Sequence, residues 1–385
     1  VTTTPATEAT GAAVRLPLRA GLEGLTPYGA PQLDVPVLLN VNENPYPPSD
    51  AVAADIADAV RKAAHGLNRY PDRDFGELRA ELAEYLRVES GVTLAPEQIW
   101  AANGSNEVML HLLQAFGGTG RTVLSFAPTY SMYPEYARDT LTAWVAGSRE
   151  EDFTLDPEQV RAQLAEHRPA VILLASPNNP TGTALPLATI EAICDAAATA
   201  GPTAPDGGAT ACVVVVDEAY GEFRREGTPS ALALLGRYPH LAVSRTMSKA
   251  FGMAGLRLGY LAADPALVDL LRVVRLPYHL SALTQAAALA ALRHRGELMG
   301  QVASLRAERD ALVGWLRERG HRVADSDANF VLFGLFEDRH AVWNGLLERG
   351  VLIREVGPQG WLRVSVGTPQ ETAAFKAALK EVLGR

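Results

Sequence analysis

The sequence predicts an α/β protein: a large domain on a mostly parallel sheet with flanking helices, followed by a smaller α+β domain. Three observations predict it. The runs TVLSF (122–126), VILLA (171–175), CVVVV (212–216) and LAVS (241–244) are apolar on both faces, as buried parallel strands are. Helix-length segments separate several of them, the alternation expected of a parallel sheet. After Tyr278 the pattern changes: a helical stretch over 281–318 precedes FVLFGLF, a helix near 340–349, VLIREV, WLRVSVG and a final helix near 370–383.

Taken in order, residues 1–15 lack apolar periodicity and predict a disordered tail. Residues 16–48 form an irregular arm, rich in Pro, Gly and Asn from Pro27 to Pro48, with one short strand in VPVLLN. This arm is assigned to the small domain. Residues 49–278 make the large domain, opening with helices over 49–65, capped by Ser49 or Asp50, and over 74–90. A third helix covers 109–116, with the turn-like NGSN before it. GPTAPDGGAT (201–210) is a surface loop. Residues 279–385 complete the small domain.

A chain of 385 residues, 48% apolar, is long enough to divide into two cores. The net charge of -9, from 35 basic and 44 acidic side chains, argues against nucleic acid as a partner. It leaves room for anionic substrates, because a few arginines can dominate one pocket. Cys194 and Cys212 are too few for a disulfide scaffold or a zinc-type cluster, so no metal is expected and a reducing compartment fits. The start VTTTPATEATGAA has neither the basic nor the apolar region of a signal peptide. The run ACVVVV is too short to cross a bilayer. A cytoplasmic protein without membrane partners is expected.

Ligands of such sheets bind at the carboxyl ends of the strands. Polar residues cluster there. In SRTMSKAFGMAGLRLGY (244–260), Lys249 follows a strand directly, between Ser248 and Arg257. A lysine amine forms Schiff bases with carbonyl cofactors, and a serine with a forked guanidinium holds a phosphate. In VVVVDEAYGEF (213–223), Asp217 ends a buried strand, where a carboxylate is costly unless paired. A protonated pyridine nitrogen would pair with it, and Tyr220 could reach the ring's phenolic oxygen. SPNNPTG (176–182) brings an amide donor, Asn178 or Asn179, on a tight turn. NGSNE (103–107) places backbone N–H groups at a helix start, a natural phosphate cradle. APTYSMY (127–133) sets aromatics at a further strand end. Each motif alone also fits an ordinary turn, cap or packing residue. Neither G-x-G-x-x-G nor G-x-x-x-x-G-K-[ST] occurs, which removes the nucleotide-binding alternatives.

From Pro27 to the C-terminus the ordered set NENPYPP, NRYPD, NGSNE, APTYSMY, SPNNPTG, VDEAY, SRTMSKAFGMAGLRLGY and RVSVG resembles the fold-type-I pyridoxal-phosphate enzymes of the aspartate aminotransferase superfamily. Within it, the histidinol-phosphate aminotransferases are most similar. The resemblance implies a seven-stranded-type sheet, pyridoxal 5'-phosphate held as a Schiff base on Lys249, and a homodimer with shared active sites. It implies that Lys249 also moves the substrate proton and that Asp217 pairs with the ring nitrogen. Asn178 and Tyr220 would bind the phenolic oxygen, and Tyr130 would stack on the ring. Ser105, Asn106, Ser248 and Arg257 would hold the phosphate, joined by Tyr70 from the neighbouring subunit. Arg363 would grip the substrate carboxylate, with Tyr28 and Asn44 also on the substrate. The implied reaction is ping-pong amino transfer between histidinol phosphate and 2-oxoglutarate in histidine biosynthesis. An aromatic amino-acid aminotransferase with the same machinery is the alternative, and a decarboxylase or a non-catalytic regulator on this fold stands further off.

Overall fold

The structure is a computed structural model that describes residues 16–384. The tail expected over 1–15 lies outside the described residues. The chain divides into two units, 1–32 and 33–385. In the first, the described part is irregular apart from one 3-10 turn, Ala20–Leu22, with no buried residue in that turn.

In the second unit the chain enters through β1 (Val37–Leu38), then α1 (Asp50–Ala64) and α2 (Gly76–Ser90). Ser49 caps α1 by accepting the Val52 N–H, and Gly91, at φ 73°, ends α2 in the left-handed conformation that glycine adopts freely. Seven strands follow: β2 (Ile99–Ala102), β3 (Thr122–Ala127), β4 (Ala143–Ser148), β5 (Val171–Ala175), β6 (Val213–Asp217), β7 (Leu241–Thr246) and β8 (Gly259–Ala263). Between them run α3 (Ser105–Phe116), α4 (Tyr133–Asp139), α5 (Pro157–His167) and α6 (Leu187–Ala197), and α7 (Pro265–Val274) follows β8. The strands form one sheet in the order β2-β8-β7-β6-β5-β3-β4. All adjacent pairs are parallel except those of β8, which runs antiparallel to β2 and β7.

This register builds the site. Ala175 pairs with Asp217, and Asp217 with Ser244, so three strands end side by side and release three polar loops at one edge. All five residues of β5 and of β6 are buried, which explains their unbroken apolar runs. β2, β4 and β8 are not among the four strands expected from the sequence; β8 begins at the end of the lysine motif. Gly259 pairs there with both Ala102 and Thr246. A Cβ on Gly259 would stand 2.1 Å from the Ser105 nitrogen, so only glycine lets β8 approach the start of α3.

Beyond the sheet come α8 (Ala282–Arg293) and α9 (Arg295–Glu318), one helical stretch in the sequence but two helices that meet at His294. β9 (Arg322–Val323), β10 (Phe330–Gly334), α10 (Arg339–Glu348), β11 (Val351–Leu352), β12 (Trp361–Ser365) and α11 (Pro369–Leu383) complete the chain. β12, β10 and β9 make an antiparallel sheet, and β1 pairs parallel with β11. Thr368 and Glu371 close a reciprocal capping box on α11, with Pro369 at its first turn. Two large apolar cores result, beside a small cluster of Phe153, Ala324, Leu332 and Trp361. The larger holds the seven-stranded sheet together with α8 and Leu298, Val302 and Leu305 of α9. The smaller joins Leu39 of the arm to Leu312 and Leu316 of α9 and to β10, β12, α10 and α11. α9 therefore belongs to both.

Replacing Gly259 with alanine should lower the unfolding free energy of the apo-protein by about 2 kcal/mol or more, since the new methyl meets backbone that cannot rotate away. Urea denaturation checks this, and an unchanged midpoint would show that α3 tolerates displacement.

Candidate active site

The site is assembled at the common strand edge. Lys249 lies in the turn between β7 and β8, and its Nζ donates to the Val41 carbonyl at 3.0 Å. Burial, with the nearby charges of Arg363 and Arg257, pushes this amine down to about 8 against the weaker pull of Glu43. Val41 belongs to the arm, which does more than cover the site. The Asn40 carbonyl accepts from Arg363 Nη2 at 2.7 Å, and Asn42 Nδ2 donates to the Tyr220 hydroxyl at 3.1 Å. Three consecutive residues thus touch Arg363, Lys249 and Tyr220. Asn42 is held at φ 56°, its N–H on Ser365 Oγ at 2.9 Å and its Oδ1 accepting from that same hydroxyl at 2.9 Å.

Asp217 ends β6 inside the protein. Its carboxylate accepts from the Tyr133 hydroxyl at 2.9 Å, the Ser244 hydroxyl at 3.1 Å and the Ala219 N–H at 3.2 Å. All three donors are neutral. Burial therefore raises this carboxyl above the usual range despite the hydrogen bonds. Tyr130 packs edge-on against Tyr133, with ring centroids 5.6 Å apart. Tyr133 and Ser244 were missed in the sequence; the motif APTYSMY contained the first, but nothing in it distinguished one tyrosine from another.

The SPNNPTG turn separates its two asparagines. Asn178 is fully buried, and its amide donates to the Pro128 carbonyl and to Thr181 Oγ1, both at 2.9 Å. It does not offer the free donor expected of it, because both amide hydrogens are engaged within the turns. Asn179 instead faces the site: its Oδ1 accepts from Arg363 Nη1 at 2.6 Å. A guanidinium only donates, so this contact fixes the amide orientation and turns Nδ2 away from the arginine. Arg363 also lies over Phe330, 5.2 Å from its centroid.

At the start of α3, a Cβ on Gly104 would meet the Arg257 guanidinium at 2.5 Å, so that guanidinium lies against the backbone just before Ser105. Ser248 accepts from Thr246 Oγ1 at 3.1 Å, and Thr246 pairs with the Gly259 that abuts Ser105. Ser105, Ser248 and Arg257 are thereby brought together around a helix N-terminus. Asn106 turns aside, its Oδ1 accepting from Tyr136 at 2.8 Å. Asn44 binds the Ala250 carbonyl at 3.2 Å and receives the Tyr46 N–H at 3.0 Å, which braces the chain beside Lys249. Tyr70 is 79% exposed and stacks on Tyr278 at 4.4 Å. Tyr28 lies in the 1–32 unit and is 49% exposed.

Behind Tyr220 and Lys249 lies a buried ion network. Arg245 on β7 reaches Glu218 at 2.8 Å, Glu222 at 3.0 Å and Glu89 at 3.3 Å, while Arg224 reaches Glu218 at 2.9 Å and Glu89 at 3.2 Å. Two guanidiniums serve three carboxylates. Burial pushes Glu218 up, but Arg245 and Arg224 reverse that and hold it low; at Glu222 burial wins and the carboxyl is raised. Among the described residues no group of three or more His, Cys, Asp or Glu is placed to hold a metal ion, and no helix is long and apolar enough to cross a membrane.

A buried amine, a buried carboxylate and an anion cradle on the edge of this sheet are matched by what the chain is similar to. Residues 35–379 match the family described as aminotransferase class I and II. The chain belongs to the class I and II aminotransferases. Among aminotransferases of this family, a histidinol-phosphate aminotransferase from Thermobifida fusca is 61% identical over 96% of this chain and 96% of its own. Histidinol-phosphate aminotransferase 3 from Burkholderia lata is 59% identical over 96% of each chain. The crystal structure of the Sinorhizobium meliloti histidinol-phosphate aminotransferase, in complex with pyridoxal-5'-phosphate, superposes with a TM-score of 0.81 over 97% of this chain and 99% of its own; at 23% identity it speaks for the fold.

In this aminotransferase without cofactor, Lys249 should react with acetic anhydride with a midpoint near pH 8, against about 10.4 for an unperturbed lysine. Arg363→Met should move the midpoint upward, because a repelling charge is removed. The sign for stability follows: between pH 8 and the unfolded value the unfolded chain holds a proton that the folded amine lacks, so this residue's contribution rises with pH. Peptide mapping of the acetylated residue measures the midpoint, and a value equal to that of surface lysines would contradict the burial argument.

Proposed function

We infer that this chain transfers an amino group between histidinol phosphate and 2-oxoglutarate, using pyridoxal 5'-phosphate, by a ping-pong mechanism. The observation that carries the cofactor is Asp217: a buried carboxylate whose three donors are all neutral fits a cationic ring nitrogen. The N-terminus of α3, with Ser105, Ser248 and Arg257, fits its phosphate. Bound there, the cofactor supplies a carbonyl that condenses with amines and a ring that absorbs carbanion electrons.

The chain's own residues do the rest. Lys249, lowered to about 8, is partly neutral near physiological pH and can attack a carbonyl or take a proton at Nζ. Asp217 would keep a proton on the ring nitrogen. Tyr220 and the Nδ2 of Asn179 would meet the phenolic oxygen, a role that passes to Asn179 because Asn178 has no donor left. Tyr130 would cover the ring. Arg363 binds the anionic end of the substrate by its fork, a phosphate in one half-reaction and a carboxylate in the other. Asn44 completes the substrate side, and Asn106 stands beside the phosphate through its helix position.

The substrate assignment rests on the two relatives of about 60% identity that carry that name over nearly their full length. The chain acts in the cytoplasm, in histidine biosynthesis. Two subunits share their sites: the exposed Tyr70 reaches the partner's cofactor phosphate.

With 2-oxoglutarate as acceptor, kcat/KM for histidinol phosphate should exceed that for histidinol, phenylalanine and tyrosine by at least tenfold, because a charged partner of Arg363 is lost with the phosphate. A higher value for phenylalanine or tyrosine would replace the assignment with an aromatic aminotransferase. For the shared site, Lys249→Ala and Tyr70→Ala chains, each nearly inactive alone, should regain activity when their subunits exchange. Exchange without recovery would make each site self-contained.

A further inference from the structure

We propose that Asn42 is a positioning residue that aims the hydroxyl proton of Tyr220 at the cofactor's phenolic oxygen. The inference rests on the reading that Tyr220 faces that oxygen.

The Asn42 amide lies between two hydroxyls, with Oδ1 on Ser365 and Nδ2 on Tyr220. Ser365 Oγ accepts the backbone N–H of Asn42 at 2.9 Å, so its own proton is free to go to Asn42 Oδ1, also at 2.9 Å. With Oδ1 taken as acceptor, the amide's other end is Nδ2, and it points at the Tyr220 oxygen at 3.1 Å. Asn42 is buried, and its backbone carbonyl is held in turn by Asn329 Nδ2 at 3.1 Å. These bonds hold the Asn42 backbone in place beside Tyr220.

A phenol has one proton. An N–H donated into one lone pair of the Tyr220 oxygen stops the hydroxyl from donating back along that line, and it polarises the O–H so that it donates more strongly elsewhere. The tyrosine ring is held edge-on against Phe330 at 5.0 Å, and the Asn42 N–H restricts rotation of the hydroxyl about its C–O bond. The left-handed backbone of Asn42, φ 56°, suits asparagine, aspartate or glycine and disfavours other side chains, so the position is built for this residue type. Ser365 lies two residues from Arg363 on β12, hence on the same face, and so the strand that presents the anion-binding arginine also anchors the donor that orients the tyrosine.

The test is the pH titration of the bound cofactor's visible absorption in purified holoenzyme, a readout independent of turnover. A hydroxyl donating to the phenolic oxygen stabilises that oxygen most when the neighbouring imine proton has left, so losing it raises the titration midpoint. Tyr220→Phe should raise the midpoint by about one unit or more. Asn42→Asp keeps the backbone and the Ser365 contact but replaces the donor with an acceptor that captures the Tyr220 proton. Asn42→Gly keeps the backbone and removes the side chain without adding charge. Each should raise the midpoint when Tyr220 is present. In the Tyr220→Phe background the glycine change should have no effect and the aspartate change only its smaller charge effect, so the shifts fail to add. Additive shifts, or no shift from either Asn42 variant while Tyr220→Phe moves the midpoint, would overturn the proposal. No shift from Tyr220→Phe itself would overturn the underlying placement of Tyr220, a separate result.

Discussion

A carboxylate without a cation governs this site. Asp217 stands at the end of a fully buried strand and is met by a tyrosine, a serine and a backbone N–H, none of them charged. Such a group destabilises the empty protein and gains stability from whatever cation enters. The sheet sets this up, because the register that pairs Ala175 with Asp217 and Asp217 with Ser244 also aligns the loops bearing Asn179, Tyr220 and Lys249. One buried negative charge and one buried amine then lie on adjacent strand ends, and a pyridine cofactor answers both.

Rigidity around that pair comes from two directions. From behind, Arg245 ties Glu218 and Glu222, which flank Tyr220 in sequence, to its own strand, two residues before Met247 and four before Lys249. Removing one member of such a network leaves unpaired charge in the interior, so the network ties the DEAYGEF turn to the strand that leads into the lysine turn. From the front, residues 40–42 reach Arg363, Lys249 and Tyr220 in succession. The smaller core is anchored to the same arm through Leu39, which gives the arm a fixed path across the site.

The sheet strands were legible because their environment is uniform: VILLA and the valine run are buried on both faces, and nothing else in water keeps such sequences. β2, β4 and β8 were not: β2 has four residues, β4 is a half-exposed edge strand, and GYLAA is short and follows a loop that carries chemistry. The lysine and aspartate were legible from costly residues in apolar contexts. What failed was choice among neighbours. Two adjacent asparagines look alike in sequence, and only the hydrogen bonds to Pro128 and Thr181 engage the first while the second meets Arg363. Likewise NVNENP drew attention to Asn44, while Asn42 takes the contact with Tyr220 through a left-handed backbone that sequence does not reveal.

The central claim, that Asp217 is an uncompensated buried charge kept for a cationic ring, is tested most directly by comparing Asp217→Asn with the wild type in two measurements on one preparation: urea unfolding of the apo-protein at pH 8 and the equilibrium binding of pyridoxal 5'-phosphate. Asparagine preserves the shape and removes the charge. The account predicts an apo-protein at least as stable as the wild type and cofactor binding weakened by about tenfold or more. A destabilised apo-protein that binds the cofactor as tightly as the wild type would contradict it.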